Sequence, residues 1–375
     1  MKVLADAAIP NAREVFSSYG EVVTCPGRSL DSEMLKDAEV LIIRSVTRVD
    51  EVLLSKAPCL RFVGTATAGC DHVDPAALDL RSIAFASAPG CNCDSVGDYV
   101  LSVLLTYCLR YGKNPSELSL GLIGLGHTGT AVARRAAALG FEIVRNDPPR
   151  QRAGDVNCNA GLEQALRCDI VSLHVPLTRE GEDATWHLLN EETLSSLKDG
   201  AFLINASRGS VVDNEALLKV LKIGRIRAWC DVFEGEPEIK VKELLPCLEG
   251  ATAHIAGYSY ESKRRSTVML ARSMSQTLEL PPPPHYTMPE PEITHLQLGE
   301  LKTWDLDLLR RLVFCVYDVN RDAAAFKLNF KDGRSFDELR RTYRERRELS
   351  SLKINTTNAQ LAELLKALSF GISAA

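Results

Sequence analysis

Residues 119–147, SLGLIGLGHTGTAVARRAAALGFEIVRND, are the stretch that decides the fold. They begin with a short apolar run at 120–125, of the kind that forms a buried parallel strand. Glycines then follow in the pattern G-x-G-x-x-G and open into an alanine-rich segment with good helix propensity. After Gly140 the chain has the composition of a second strand, which ends at Asp147. This order of strand, glycine loop, helix, strand and acid predicts a dinucleotide-binding unit.

The three glycines of the pattern have different parts in such a unit. Gly124 allows the tight turn, Gly126 lets the backbone approach a pyrophosphate, and Gly129 permits close packing of the helix on the strand. The pyrophosphate would lie on the N–H groups at the start of the helix. The predicted cofactor contacts in this loop are Gly124, Leu125, Gly126, His127, Thr128 and Gly129. The pattern alone would also suit an ordinary glycine-rich turn, but the flanking elements favour the dinucleotide site.

Asp147 indicates which dinucleotide is bound. It follows Gly129 by 18 residues, near the spacing of about 20 expected for an acid that hydrogen-bonds the ribose hydroxyls. A carboxylate at this place repels a 2′-phosphate, so the sequence predicts NAD rather than NADP as the cofactor.

The composition limits the class of protein. A chain of 375 residues is too long for one ordinary core, so we expect two or three domains. Hydrophobic residues make up 45% and charged residues 25%, as in a soluble globular protein, and the formal net charge of −5 argues against nucleic acid as a partner. No apolar run reaches the length that crosses a membrane, and the N-terminus has no signal-peptide pattern. We therefore expect a cytoplasmic protein with no membrane partner.

The eleven cysteines are scattered along the chain and include no C-x-x-C pair. Neither a zinc site nor a thioredoxin-type redox motif is therefore predicted, and we expect no metal. Most of the cysteines fit buried thiols in a reducing compartment.

Short strands and helices alternate ahead of the glycine loop. The predicted strands are 1–5, 21–24, 41–44 and 61–64, and the predicted helices are 12–19, 32–36 and 52–56. This alternation predicts a small parallel α/β domain. Two of its loops, 44–47 and 65–69, combine small hydroxyls, glycine and an arginine at strand ends, which suits a carboxylate or phosphate ligand. Ordinary polar caps would have the same composition, and the pattern leaves both interpretations open.

The alternation resumes after Asp147. Strands are predicted at 170–175, 201–205 and 227–231 and a helix at 214–222, which together complete a doubly wound sheet. A helix predicted for 264–279 has to end before the four prolines at 281–284, which form a stiff connector. Beyond them lie an apolar segment at 308–318, a charged run at 340–348 and an amphipathic helix at 358–368. These pieces are short, so we predict a small third domain that associates with another subunit.

Three side chains near predicted strand ends could carry chemistry. They are Arg208 in INASRGSVVDN, Glu236 in CDVFEGEPE and His254 in AHIAGY. Oxidation of a 2-hydroxy acid by NAD needs a base, a partner that orients the base, and a cation for the carboxylate, and these side chains supply all three. Taken singly, each also fits an ordinary role, as a surface cation, a loop acid and a core histidine. Their occurrence together after a dinucleotide fingerprint favours the enzyme.

The sequence resembles the NAD-dependent D-2-hydroxyacid dehydrogenase family, in which the Arg, Glu and His follow a dinucleotide site in this order. The motifs RSVTRVDE, FVGTATAGCDHVD, APGCN, NASRGSVVDN, DVFEGEPE, HIAGY and YRERRELSSL closely resemble one branch of that family, over residues 1–370. The resemblance implies an α/β fold with three parts. They are a doubly wound Rossmann NAD domain at 94–255, a flavodoxin-like split substrate domain at 1–93 plus 256–280, and a small α+β C-terminal dimerisation domain at 285–375.

The resemblance also implies an activity and its residues. A homodimer would oxidise a small phosphorylated 2-hydroxy acid with NAD, His254 would accept the hydroxyl proton, Glu236 would orient it, and Arg208 would bind the substrate carboxylate. The substrate positions of the family fall on Ser45, Thr67 and Tyr258. Its cofactor positions outside the glycine loop fall on Asp147, Val175, Ala206, Ser207, Asp231 and Gly257.

The sequence departs from the family pattern in a few places. Val175 stands in HVPL where the family has a threonine, so a side-chain hydroxyl contact to NAD is lost, although a backbone contact could persist. His127 and Thr128 stand where asparagine and valine are common, and Asp98 stands where glutamate is usual. The glycine fingerprint itself is intact.

Two hypotheses go beyond the motif match. Arg44 adjoins Ser45 and is a candidate to bind the substrate phosphate, since a doubly charged group needs a cation. The run Arg344-Glu345-Arg346-Arg347 could reach the active site of a neighbouring subunit, but a solvated helix face is the favoured interpretation.

Two other functions compete with this one. A sister enzyme could act on 3-phosphoglycerate or on an unphosphorylated 2-hydroxy acid, but sister enzymes have a different C-terminal domain or none. A nucleotide-sensing scaffold would keep the glycines and Asp147 but would have little need of Arg208, Glu236 and His254 together.

Overall fold

The computed structural model describes residues 1–158, 160–299, 301 and 303–373. Its contacts divide the chain into two compact units. The first consists of Met1–Asn92 and Ser259–Pro289, and the second of Cys93–Tyr258 and the chain from Glu290 onward. The three-domain division predicted from the sequence stays a prediction, and its border at 93 lies next to the border between the units.

The strands run in chain order and are numbered β1 to β14. They are β1 Lys2–Asp6, β2 Glu21–Cys25, β3 Val40–Ile43, β4 Phe62–Thr65, β5 Ala84–Ala86, β6 Ser119–Ile123, β7 Glu142–Asn146, β8 Ile170–Leu173, β9 Phe202–Asn205, β10 Arg227–Cys230, β11 Gly250–Ala251, β12 His295–Gln297, β13 Lys353–Asn355 and β14 Gly371–Ile372.

The helices are numbered α1 to α15 in the same way. They are α1 Ala12–Phe16, α2 Ser32–Lys36, α3 Glu51–Leu54, α4 Pro75–Leu80, α5 Cys93–Tyr111, α6 His127–Leu139, α7 Pro148–Arg152, α8 Leu162–Leu166, α9 Glu191–Ser195, α10 Asn214–Lys222, α11 Tyr260–Thr277, α12 Leu306–Val316, α13 Val319–Asn329, α14 Gly333–Arg341 and α15 Ala359–Ala367.

The first unit is built on a parallel sheet of strand order β2-β1-β3-β4-β5, the flavodoxin-like order. Successive residues of β1 face opposite sides of this sheet, so that Leu4 packs on one side and Val3 on the other. Helix α11 covers the Val3 side with Leu270 and Met274. A later part of the chain therefore completes the first unit, as the split substrate domain of the expected fold requires.

The second unit contains a parallel sheet of order β11-β10-β9-β8-β6-β7 with helices packed against it. Its winding reverses between β6 and β8, the place where open α/β sheets bind ligands at the carboxyl ends of their strands. The glycine loop follows β6 and the loop of Val175 follows β8, so both lie at this point. The predicted doubly wound Rossmann fold is confirmed.

The C-terminal segment packs on helix α5 within the second unit. Leu101 and Leu105 of α5 share one apolar cluster with leucines of α12 and α15. Asp98, which is fully buried in α5, accepts the N–H of Leu349 at 2.9 Å and pairs with Arg135 of α6 at 2.8 Å. Strands β12, β13 and β14 form a small parallel sheet in the same segment. The expected small α+β element at the C-terminus is therefore present.

Several element predictions need correction. Helix α1 ends at Phe16, and the expected remainder to residue 19 is a 3-10 turn. Strand β8 ends at Leu173, so Val175 lies in the loop beyond it. The elements that were not predicted are helices α4, α7, α8, α9, α13 and α14 and strands β5, β11, β12, β13 and β14. Strand β5 has only three residues, too few to show an alternating pattern in the sequence.

The run Arg344-Glu345-Arg346-Arg347 is not a solvated helix face, so that interpretation was wrong. Helix α14 ends at Arg341, and residues 343–348 have no regular structure. Arg346 is only 1% exposed. Across the described ranges of the chain, no helix has both the length and the apolar character needed to span a membrane.

Candidate active site

The three glycines of the loop differ in the space that surrounds them. Gly124 has φ +90°, and a Cβ on it would lie 2.5 Å from the carbonyl oxygen of His174. A Cβ on Gly129 would lie 1.9 Å from the carbonyl oxygen of Gly124. A Cβ on Gly126 would meet nothing within 4 Å. The protein's own packing therefore demands the first and third glycines, whereas the second leaves open space beside the loop.

Helix α6 starts at this open space. Its N-cap is Gly126, which has no side chain to cap the helix, and its first turn carries no acidic residue. The N–H groups of the first turn and the helix dipole together favour an anion at such a place. This is the arrangement that suits a pyrophosphate.

Asp147 connects the end of β7 to the glycine loop. One of its carboxylate oxygens accepts the N–H of Leu125 at 2.7 Å, and the other accepts the N–H of Arg150 at 3.1 Å. A carboxylate has about four acceptor positions, so these two bonds leave it able to accept ribose hydroxyls as well. The side chain of Arg150 pairs with Asp155 at 2.5 Å.

His254 and Glu236 are in direct contact. Nδ1 of His254 lies 2.7 Å from Oε2 of Glu236, and Oε1 of Glu236 accepts the N–H of Phe233 at 2.6 Å. With a carboxylate at Nδ1, the ring holds its proton there and presents Nε2 as the basic nitrogen. The His254 side chain is 34% exposed and that of Glu236 is 16% exposed, so the imidazole is accessible while the carboxylate is more sheltered.

Asp231 fixes the backbone around His254. Its buried carboxylate accepts the Thr252 hydroxyl at 2.6 Å and the N–H groups of Ile255 at 2.8 Å and Ala256 at 2.9 Å. The N–H of His254 also donates to the backbone oxygen of Asp231 at 2.8 Å. His254 has φ 54°, a left-handed conformation that costs a non-glycine residue energy and persists only where the surroundings enforce it.

A series of buried hydrogen bonds leads to Asp231 through the Thr252 hydroxyl. Trp229 Nε1 donates to the hydroxyl of Tyr99 at 2.8 Å, and that hydroxyl lies 2.7 Å from the Thr252 hydroxyl. Burial raises the pKa of Tyr99 well above its usual value, which keeps the phenol protonated and able to donate. Sequence reasoning missed Tyr99 and Thr252, because no local pattern relates α5 to the loop before His254.

The loop of Arg208 lies against the loop of Glu236. A Cβ on Gly209 would come within 2.0 Å of the carbonyl oxygen of Phe233, so only glycine allows this approach. Asn205 holds the Arg208 loop: its amide donates to the Arg208 carbonyl oxygen at 3.0 Å and its oxygen accepts the Ser207 N–H at 3.1 Å. The sheet thus brings the Arg208 loop beside the Glu236–His254 pair within the second unit.

The predicted substrate residues of the first unit follow neighbouring strands. Ser45 is exposed after β3, and the Thr67 hydroxyl after β4 donates to the Gly69 carbonyl oxygen at 2.7 Å. Arg44 is not an isolated cation, because its Nε lies 3.1 Å from Oδ2 of the buried Asp6. Three further predicted cofactor positions lie in the second unit. Ser207 is buried and its hydroxyl donates to Oδ1 of Asn205 at 2.9 Å, whereas Ala206 and Gly257 are half-buried.

Tyr258 contacts the C-terminal segment. Nη2 of Arg340, at the end of α14, donates to its hydroxyl at 2.9 Å. Arg346 lies with its guanidinium 3.6 Å from the centre of the Tyr317 ring and donates to the carbonyl oxygens of Ser95 and Ala256. The Arg346 guanidinium is therefore engaged by residues of its own chain, and the hypothesis that the run 344–347 reaches a neighbouring subunit stays a prediction. Among the residues that the structure describes, no cluster of histidines, cysteines and acids could hold a metal ion.

The glycine loop, the Glu236–His254 pair and the Arg208 loop on a doubly wound sheet define a 2-hydroxyacid dehydrogenase. Residues 106–256 match the family of the NAD-binding domain of D-isomer-specific 2-hydroxyacid dehydrogenases, and residues 287–369 match a domain of unknown function. NAD is the cofactor of such enzymes.

Comparison with curated relatives shows to which branch of these dehydrogenases the chain belongs. The erythronate-4-phosphate dehydrogenase of Aeromonas salmonicida is 49% identical over 95% of this chain and 95% of its own length. That of Tolumonas auensis is 45% identical over 97% and 98%, and that of Escherichia coli O157:H7 is 44% identical over 99% and 98%. The chain belongs to the erythronate-4-phosphate dehydrogenase family.

Solved structures agree with the fold. A protein of Thermus thermophilus superposes with a TM-score of 0.64 at 30% identity, over 76% of this chain and 99% of that one. The D-lactate dehydrogenase of Aquifex aeolicus, complexed with NAD and lactic acid, superposes with a TM-score of 0.61 at 24% identity, over 74% and 96%. At that level of identity the second likeness concerns the fold alone.

Proposed function

We propose that this chain oxidises 4-phospho-D-erythronate with NAD to 3-hydroxy-2-oxo-4-phosphooxybutanoate, a reaction of pyridoxal 5′-phosphate (vitamin B6) biosynthesis. The relatives that match nearly the whole chain bear the name of this activity. The observation that carries the proposal is the 2.7 Å contact of His254 with Glu236, next to the loop of Arg208. Oxidation of a hydroxy acid needs an oriented base and a cation, and these residues supply both.

The second unit fits NAD. Open space lies beside Gly126, no side chain caps α6, and the Asp147 carboxylate has acceptor capacity left for a ribose. Bound there, NAD would supply the acceptor for the hydride from C2 of the substrate. The residues proposed to hold it are Gly124, Leu125, Gly126, His127, Thr128, Gly129, Asp147, Val175, Ala206, Ser207, Asp231 and Gly257.

His254 is the proposed base. Its Nε2 takes the proton of the C2 hydroxyl, because Nδ1 is engaged by Glu236. The positive charge that develops on the ring is stabilised by the carboxylate at Nδ1, which also fixes the tautomer and the ring orientation. Asp231 and the buried chain behind it hold the His254 backbone in its left-handed conformation.

Arg208 is the proposed carboxylate ligand. A guanidinium presents a planar fork of donors that matches two carboxylate oxygens. Its positive charge also polarises the carbonyl that forms at C2. The packing of Gly209 on Phe233 keeps this cation close to the base, so that the carboxylate and the hydroxyl of one small substrate can be bound together.

Ser45, Thr67 and Tyr258 complete the proposed substrate contacts. The hypothesis that Arg44 binds the phosphate is weakened by its ion pair with Asp6, because the buried carboxylate already offsets much of its charge. An Arg44→Ala variant tests it. A raised KM for the phosphorylated substrate is expected if Arg44 binds the phosphate, and an unchanged KM would show that it does not.

We also propose a cytoplasmic homodimer that associates through the C-terminal segment at 285–375, in line with the matched domain at 287–369. Arg347 remains a candidate to act across that dimer. Light scattering of the full chain tests the oligomer, with a mass of two chains expected and a mass of one chain contradicting it.

The experiment that tests the activity is NADH formation by the purified chain with NAD and 4-phospho-D-erythronate, alongside 3-phosphoglycerate and D-lactate. A 2-oxo acid is added as acceptor in a parallel series, so that tightly held NADH does not hide turnover. Selective oxidation of phosphoerythronate is expected. Preference for another hydroxy acid would keep the class of reaction but overturn the substrate. NAD binding without turnover of any of them would favour the nucleotide-sensing scaffold.

A further inference from the structure

Arg340 is a cation of the C-terminal segment placed beside the proposed catalytic residues. It is the penultimate residue of α14, and its Nη2 donates to the Tyr258 hydroxyl at 2.9 Å. Its guanidinium carbon lies 5.5 Å from the centre of the Tyr258 ring. Tyr258 follows His254 by four residues in the same loop region, so Arg340 adjoins the site within the second unit.

Arg340 has no direct ion-pair partner among the residues that the structure describes. Within the described parts of the chain, its buried Nε also has no hydrogen-bond partner. Neighbouring Arg341, in contrast, pairs with Glu338 at 2.6 Å on the surface. A sheltered guanidinium without a direct ion pair is costly, because the hydration it loses is not replaced by hydrogen bonds to a carboxylate.

The guanidinium nevertheless stays charged. Burial lowers the pKa of Arg340, but the Tyr258 phenol and the carboxylates of Glu236 and Asp231 raise it by more, so its pKa lies above the usual value. Glu236 is already engaged by His254 and Phe233, and Asp231 by Thr252, Ile255 and Ala256. In the described structure neither carboxylate forms a hydrogen bond or ion pair with Arg340, so its charge remains available to a ligand.

The proposed substrate brings an anion at each end. Arg208 is assigned to the carboxylate at C1, and the distal phosphate then requires a cation of its own. Arg44 is a weaker candidate for this role because it is paired with buried Asp6. The Nε–H of Arg340 has no acceptor in the described part of the chain, and the residue lies beside Tyr258, which is itself proposed to bind the substrate.

We propose that Arg340 is a specificity-determining residue that binds the phosphate of the substrate together with Tyr258. This inference rests on the proposed function and assigns the C-terminal segment a part in substrate selection in addition to association. It also gives a physical reason why an enzyme for a phosphorylated hydroxy acid carries this segment, since α14 supplies the cation.

The test compares Arg340→Gln with Arg341→Gln. Both variants remove one positive charge from the same turn of α14, but the Arg341 side chain is 74% exposed and paired with Glu338. We expect Arg340→Gln to lower kcat/KM for 4-phospho-D-erythronate by about 10- to 100-fold, mainly through KM, because charge-assisted hydrogen bonds to the phosphate are lost. With D-erythronate, which lacks the phosphate, the variant and wild type should agree within about threefold, and Arg341→Gln should resemble wild type with both substrates.

A purely structural role would give a different pattern. If Arg340 only holds Tyr258 in place, Arg340→Gln and Tyr258→Phe would impair the phosphorylated and unphosphorylated substrates equally, and the proposal would be overturned. If Arg340→Gln shows no cooperative thermal transition and is therefore not folded, Arg340→Lys is used in its place. The lysine keeps the positive charge but lacks the planar set of guanidinium donors. An intermediate KM for the phosphorylated substrate alone is then expected, and a wild-type KM contradicts the proposal.

Binding of inorganic phosphate separates this proposal from the activity. Calorimetric titration of the NAD-loaded protein with phosphate should give an affinity that Arg340→Gln lowers at least tenfold and Arg341→Gln leaves unchanged. If the wild type does not oxidise 4-phospho-D-erythronate but shows this pattern, the proposed substrate is wrong and the phosphate site stands. If it oxidises that substrate and phosphate affinity is the same in wild type and Arg340→Gln, the phosphate site is wrong.

Discussion

Oε2 of Glu236 lies 2.7 Å from Nδ1 of His254, while Oε1 of the same carboxylate is held by the N–H of Phe233. The backbone thus fixes Glu236, and Glu236 in turn fixes the imidazole. The account of the reaction depends on this pair, because a base must be both oriented and able to carry a positive charge.

A Glu236→Gln variant separates orientation from charge. The amide is similar in shape and keeps a hydrogen bond, but it cannot stabilise the imidazolium and permits the wrong tautomer. We expect kcat to fall by about 100-fold or more, with NAD affinity unchanged. Steady-state kinetics and a fluorescence titration with NAD measure the two quantities. A wild-type kcat would mean that the carboxylate has no part in the reaction.

The glycine loop allows a matched pair of alanine variants. Gly126→Ala places a methyl group in open space, whereas Gly129→Ala places one 1.9 Å from the Gly124 carbonyl oxygen. Gly126→Ala should therefore keep the thermal midpoint of wild type but bind NAD at least tenfold more weakly, because the methyl group obstructs the pyrophosphate. Gly129→Ala should lower the thermal midpoint itself. Unchanged NAD affinity in Gly126→Ala would contradict the placement of the cofactor.

Buried His174 predicts a dependence of stability on pH. Burial lowers the pKa of His174 to about 3, whereas an unfolded chain has an ordinary histidine with a pKa of about 6.5. Below pH 6.5 the unfolded state therefore binds a proton that the folded state does not, and stability falls as the pH falls. From pH 7.5 to pH 5 this residue should remove about 2 kcal/mol from the free energy of unfolding.

Urea unfolding at several pH values measures this effect. His174→Gln should reduce the pH slope between pH 6.5 and 5, and the control His295→Gln, at an exposed histidine, should not. Equal slopes in the wild type and His174→Gln would show that His174 does not set the dependence.

Arg346 predicts a large loss of stability without a direct catalytic role. It is 1% exposed, lies on the Tyr317 ring, and donates to the backbone of Ser95 and Ala256. Arg346→Met leaves these carbonyl groups buried without a donor and should lower the free energy of unfolding by about 3 kcal/mol. Arg311→Met is the control, since Arg311 is 72% exposed in a surface ion pair. A loss equal to that of the control would contradict the structural role.

Local signals accounted for most of the fold and the proposed catalytic residues. The strand, glycine loop and helix around Gly124 are adjacent in sequence, so their pattern is visible in one short window. Arg208, Glu236 and His254 each stand in a short motif after a strand end, and the sheet brings such ends to one edge.

Contacts between distant parts of the chain could not be predicted in this way. Arg340 and Tyr258 are 82 residues apart, and Arg44 and Asp6 are 38 residues apart. Arg346 stands in a run of charges that is typical of a solvated surface, and only the position of Tyr317 and Ala256 explains its burial. The role of a charged side chain depends on which partner the fold supplies, and composition does not contain that information.

The central claim is that His254 takes the hydroxyl proton of 4-phospho-D-erythronate. The most direct measurement is the rate of NADH formation from that substrate by wild type and His254→Gln, at saturating NAD and with a 2-oxo acid present as acceptor. We predict oxidation by the wild type and a loss of at least 1,000-fold in kcat for the variant, with NAD affinity within about threefold of wild type. A variant that oxidises the substrate at the rate of the wild type would contradict the account.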